Sequence, residues 1–191
     1  MKKKLMTVLA IVLVIAMSVA GTYAYLTSKA EVKNTFTVGN IAITLDEAKV
    51  DEYGVAVAGA DRVDANTYKL IPGHSYTKDP TVHFAAGSEA SYLFVKVVDQ
   101  ISAIEADATV AAQIAANGWT KLDGVDNVYC KSVPANTGDA AVDYAVFGSF
   151  KLTDNAAVAS YADKTITVTA YAVQADGFGT ASAAWSATFG A

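Results

Sequence analysis

Residues 165–173 alternate without a fault. Ile166, Val168, Ala170 and Ala172 take one parity, and Thr165, Thr167, Thr169 and Tyr171 take the other. Successive side chains of an extended chain point to opposite faces, so this pattern specifies a half-buried strand. The same period recurs along the chain. Residues 91–98 are the densest stretch, with Leu93, Val95 and Val97 opposing Tyr92, Phe94 and Lys96. Val142, Tyr144, Val146, Phe150 and Leu152 alternate over about ten residues, interrupted at Gly148, and residues 81–85 follow an Asp79-Pro80 turn. Residues 68–71, 119–122 and 127–131 are shorter candidates. Turn pairs separate these runs, notably Pro72-Gly73, Asn117-Gly118, Asp123-Gly124 and Thr137-Gly138.

Several short strands with turns between them, and no repeated strand–helix alternation, argue an all-β chain. The expected fold is a jelly-roll-like antiparallel β-sandwich with one or two short helical insertions. Ten tyrosines against two tryptophans and three prolines suit such a scaffold. One insertion is expected over residues 104–116, which carry Val110, Ile114 and many alanines before a stop at Asn117-Gly118. Residues 181–188 read as a short terminal helix packing Trp185, or as irregular chain. Residues 46–64, rich in Ala, Val, Asp and Gly, are expected to form a hairpin with a mobile tip. No internal repeat or second domain is visible.

The N-terminus has a different grammar. Lys2, Lys3 and Lys4 precede an uncharged run over residues 5–20, followed by Gly21-Thr22-Tyr23-Ala24. A basic head, an apolar run and small residues at a cleavage site make a secretory signal peptide, here residues 1–24, cut between Ala24 and Tyr25. Its length would also serve a membrane span, which needs about 20 apolar residues, but the small-residue site favours cleavage. Residues 25–38 then alternate, with Leu26, Ala30, Val32, Phe36 and Val38 on one parity beside Ser28 and Asn34. The phase slips at Gly39-Asn40, where a bulge or corner is expected, and Ile41, Ile43 and Leu45 carry the apolar face onward. Two readings of residues 25–38 stay open. One is an edge strand on its own domain, residues 39–191; the other is a strand that completes a neighbouring molecule's sheet.

Charge narrows the partners. Removing three leader lysines takes the side-chain balance from −5 to −8. Nucleic acid and anionic membrane both demand clustered Lys and Arg, so neither is expected as a partner. Cys130 is the only cysteine, which rules out an internal disulfide and suggests a structural thiol.

Catalytic patterns are weak, and no catalytic residue, metal ligand or cofactor is expected. His74 and His83 are the only histidines, and the His-Glu-x-x-His zinc signature is absent. A site joining both to Asp79 or Glu89 is conceivable, but ordinary polar roles are the simpler account. No Gly-x-Ser-x-Gly elbow supports a serine triad. Asp46, Asp61 and Asp64 do not match the spacing of a calcium loop. Asp99, Glu105 and Asp107 read as a solvated helix entrance.

The run from Gly21 through Tyr25-Leu26-Thr27, continuing as Asn34-Thr35-Phe36-Thr37-Val38-Gly39-Asn40-Ile41, resembles the TasA/camelysin family of exported Gram-positive proteins. Further matches are Ile71-Pro72-Gly73, Lys78-Asp79-Pro80-Thr81-Val82 and the strands at residues 91–97 and 165–174. The resemblance implies a leader handled by a SipW-type signal peptidase and a jelly-roll subunit that polymerises into biofilm-matrix fibres. It also implies that residues 25–38 are donated to the next subunit, in a head-to-tail homopolymer with itself as partner. An accessory matrix protein is a further candidate partner. Such contacts do not close, so they build filaments. Secretion to the extracellular matrix or cell surface is expected, with no membrane anchor after cleavage. Camelysin carries a metalloprotease label, which the lack of a zinc motif puts in doubt here. A monomeric surface adhesin is the alternative. No Leu-Pro-x-Thr-Gly sorting signal is present, so non-covalent surface retention is expected.

Overall fold

In the computed structural model, residues 39–190 are described. The leader, the cleavage pair Ala24 and Tyr25, and the alternating positions Leu26, Ala30, Val32, Phe36 and Val38 lie outside them. Among the described residues nine strands and two short α-helices form one all-β unit in three antiparallel sheets.

The strongest alternations in the chain form the largest sheet. β4 (Ser91–Asp99) pairs along its whole length with β9 (Ile166–Gln174), and on its other side with β6 (Val128–Val133). The two-residue strand β5 (Thr120–Lys121) adds to β6, giving the order β5-β6-β4-β9. A second sheet has the order β1-β3-β7, from β1 (Ile43–Asp46), β3 (Thr81–Phe84) and β7 (Val142–Ala145). A third pairs β2 (Ser75–Thr77) with β8 (Ser149–Lys151).

Two apolar clusters show why β4 is so rich in large residues. Leu93, Val95 and Val97 enter the main core with Val82 and Phe84 of β3, together with Ile114, Trp119, Phe147, Phe150 and Leu152. Phe94, on the opposite face, enters a second cluster with Val128, Val173, Ala184 and Trp185. A strand buried on both faces reads as a near-continuous hydrophobic run, and β4 does so. Each buried aromatic in these clusters is worth about 3–5 kcal/mol against truncation to Ala.

The terminal helix α2 (Ala181–Phe189) covers that second face. Thr180 caps it by accepting the Ala183 N–H at 3.1 Å. Trp185 lies 5.1 Å from the Phe94 ring and edge-on to Tyr171 at 5.5 Å, so the predicted helix does pack its tryptophan.

The first helical insertion is shorter than residues 104–116. A 3-10 turn (Ser102–Ile104) comes first, then Glu105 bridges to Leu152 as a strand would, and Asp107 adopts φ 56°. Those two features break helical geometry, and α1 (Val110–Ala116) starts only after the Thr109 cap. It ends at Asn117, followed by Gly118 at φ 78°, as the sequence signals. Gln113 of α1 then holds the β7–β8 connection. Its Nε2 donates to Ser149 O at 2.8 Å, and its Oε1 accepts from the Gly148 and Ser149 amides.

Two strand expectations are corrected. The run from Val142 to Leu152 is not one strand; β7 and β8 join different sheets on either side of Gly148. Residues 68–71 form no strand, because Tyr76 takes their backbone groups. Its hydroxyl donates to Lys69 O at 2.7 Å and accepts the Ile71 N–H at 2.6 Å. Residues 47–63 do form a hairpin, closed by bridges Glu47–Val63 and Val50–Ala56.

Candidate functional site

Among the described residues β1 ends one sheet and β9 ends another, and they run close together without pairing. A cleft of about 530 Å³ opens beside them. Leu45, Asp46 and Glu47 form one wall, and Ile166, Thr167 and Val168 form the other. Tyr68 and Phe150 lie between, with ring centroids 5.3 Å apart and edge-on. Edge strands carry unused backbone N–H and C=O groups, so two edges flanking an apolar floor are suited to receive an extended chain.

One end of the cleft is polar and closely bonded. Lys78 and Glu47 form an ion pair with side chains 11% and 4% exposed. Asn66 Nδ2 donates to Glu47 Oε1 at 2.9 Å and to Ala48 O at 2.8 Å, while its Oδ1 accepts the Val50 N–H. Every charge in this group has a partner, as burial demands. Tyr68 donates its hydroxyl to Thr77 O at 3.1 Å. Burial first, and the nearby Glu47 and Asp79 carboxylates second, push its phenol well above the ordinary value.

His83, on the middle strand of the three-stranded sheet, faces Asp143 through Nδ1 at 2.6 Å and Asp46 through Nε2 at 2.9 Å. His74 Nε2 lies 2.9 Å from Tyr53 O. Asp79 receives Arg62 at 3.0 Å, and Asp46 is bonded to Arg62 as well. The conceivable set of His74, His83, Asp79 and Glu89 is therefore not assembled, nor is a calcium set from Asp46, Asp61 and Asp64. No group of three His, Cys, Asp or Glu among the described residues is placed to hold a metal ion. A zinc ion does not fit these donors: both His83 nitrogens are turned to carboxylates, and the His74 Nε2 is turned to a carbonyl.

The acidic helix entrance is not simply solvated. Asp107 is exposed and pairs with Lys151 at 2.6 Å, but Asp99 and Glu105 are half-buried. Glu105 Oε2 accepts the Val110 N–H at 3.1 Å, and Oε1 is buried without a partner. Desolvation, with the nearby Asp99 charge behind it, pushes the Glu105 carboxyl up to about 7. Nothing in residues 99–107 signals this, because the segment is placed by backbone bonds to distant residues: Ala106 N–H donates to Lys151 O and Thr153 N–H to Ile104 O. Cys130 is half-buried among the second cluster, and desolvation raises its thiol, which fits a structural role.

The fold defined by these elements is an antiparallel β-sandwich with short helical insertions and a cleft between two sheet edges. Residues 1–58 match the camelysin metallo-endopeptidase family. The match bears out the resemblance read from the sequence and covers less than a third of the 191 residues. No curated protein and no solved structure matches the chain.

Proposed function

We propose that the chain is an exported structural subunit that polymerises into extracellular matrix fibres. Residues 25–38 of one copy enter the cleft between β1 and β9 of the next. The observation that carries this reading is the pair of edges, unpaired among the described residues, that flank an apolar floor. The occupant is argued from the alternation at Leu26, Ala30, Val32, Phe36 and Val38, which offers an apolar face to such a floor. Backbone hydrogen bonds to the free edges supply generic attraction, and the buried side chains set register. Residues 1–24 are the leader, removed between Ala24 and Tyr25 by a SipW-type signal peptidase, which places the product at the cell surface or in the matrix.

The family name points towards proteolysis. We read this chain as a non-enzymatic member of that kinship, because both His83 nitrogens face carboxylates and His74 Nε2 faces a carbonyl. Chelator-sensitive cleavage of a protein substrate by the purified chain, lost in both His74→Ala and His83→Ala, would overturn that part.

Electron microscopy of protein from cells producing the full sequence tests assembly, beside a version lacking residues 25–33. Filaments from the first and soluble monomers from the second support strand donation. Monomers from both sink it and favour a monomeric adhesin. Ile166→Lys places a charge on the cleft wall and is expected to abolish filaments while leaving a folded monomer.

A further inference from the structure

His83 has a carboxylate at each ring nitrogen, supplied by the two strands that flank it. In register it stands directly opposite Asp143 of β7 and opposite Thr44 of β1, so Asp46 reaches it from two positions along. The neutral imidazole has one N–H and one lone pair. It cannot donate to both carboxylates, whereas the cation donates to both. The network continues beyond the sheet. Asp46 bonds Arg62 Nε, and Arg62 donates to Asp79 Oδ2 and to Asp79 O, each at 3.0 Å. Val63, the next residue, exchanges both backbone hydrogen bonds with Glu47 at 2.8 Å. Charges therefore run from Asp143 through His83, Asp46 and Arg62 to Asp79. They fasten the return arm of the hairpin whose ends, Asp46, Glu47 and Asp64, line the cleft.

We propose that His83 is a proton-operated clasp: its cation ties β7 to β1 and, through Asp46 and Arg62, holds the hairpin rim of the cleft. Loss of the proton frees β7 and leaves the rim held through Arg62 alone, more weakly. The groups facing the ring are Asp143 from β7 and Asp46 from β1. Arg62 from the hairpin acts through Asp46, and Asp79, just before β3, acts through Arg62. The hydrogen bond to Asp46 is the largest influence on the ring and raises its proton affinity; burial opposes it, and Asp143 adds to it. A raised histidine stabilises the fold fully below its unfolded value, near 6.5, and the contribution is lost as pH rises through the raised folded value. Asp143 is 63% exposed and turns to water at little cost, whereas Arg62 retains Asp46, so β7 lets go first. The clasp acts on the rim whatever occupies the cleft, and does not rest on strand donation.

The test is NMR titration of both histidines, with amide exchange at Glu47, Val63 and Tyr144, whose N–H faces Val82 of β3, between pH 6 and 9 on protein from the full sequence. Exchange rates are corrected for their intrinsic pH dependence. The His83 midpoint is expected above 6.5. Protection at these amides is expected to fall with that midpoint, by up to about tenfold per unit of displacement. His83→Gln removes the step. Asp143→Asn, at an exposed position, lowers the midpoint and shrinks the step even where His83→Gln fails to fold. Glu105→Gln retains the step and so separates it from the carboxyl that titrates in the same range. A His83 midpoint at or below 6.5, no step in protection, or a step surviving His83→Gln overturns the clasp.

Discussion

Lys78 and Glu47 meet across 31 positions of sequence as an ion pair almost withdrawn from water, and Asn66 occupies the carboxylate's second oxygen. Removing one charge strands the other. Lys78→Met is expected to cost about 3–5 kcal/mol, and Glu47→Gln with Lys78→Met to recover a large part of it. Urea unfolding of the two single variants and the double variant measures the coupling. Additive losses would show that the two groups do not act as a pair.

Gly54 turns at φ 77°, and a Cβ there would stand 2.7 Å from the Tyr76 Cα. Gly54→Ala thus meets both a left-handed backbone and a backbone clash. Gly87 has φ 74° and open space around its position. Gly87→Ala is expected to cost about 1–2 kcal/mol from the backbone alone, and Gly54→Ala about 1–3 kcal/mol beyond that. Thermal unfolding of the two variants ranks them; equal losses would sink the packing argument.

Tyr76 holds residues 69–71 through one hydroxyl, which donates once and accepts once. Tyr76→Phe keeps the stacking on Phe150, 4.7 Å away, and leaves two backbone groups without that partner. The expected loss is about 1–3 kcal/mol, with faster amide exchange at Ile71. Unchanged exchange at Ile71 would contradict this role.

Glu105 binds its proton more tightly in the folded chain than in the unfolded one, so stability falls as pH rises from about 4.5 to about 7. Allowing for its half exposure, the fall is on the order of 1–2 kcal/mol. Glu105→Gln carries no such charge, and its stability is expected to lose that slope. Denaturation midpoints at pH 5 and pH 8 decide it: a slope equal to that of the parent would refute the assignment.

Strand identity was legible wherever alternation was strong. Residues 91–98 and 165–173 correspond to β4 and β9 within a residue or two, because period-two burial is a local property of the pleat. The helix stop at Asn117-Gly118 was legible for the same reason, since a left-handed glycine is a local requirement. Residues 104–109 misled because composition favours a helix, while the pairing of Glu105 with Leu152 is a contact across 47 positions. Residues 142–152 misled because alternation cannot tell one strand from two that share a phase.

The sequence by itself determined an all-β chain, the main strands of its largest sheet, the stop of its first helix and the alternating segment that precedes Gly39. Local sterics and side-chain periodicity suffice for those. The tertiary structure alone decided that β1 and β9 end separate sheets beside a cleft, that Glu47 finds Lys78, and that His83 lies between Asp46 and Asp143. Each depends on register between strands distant in sequence, and register is set by what the packed faces bury together.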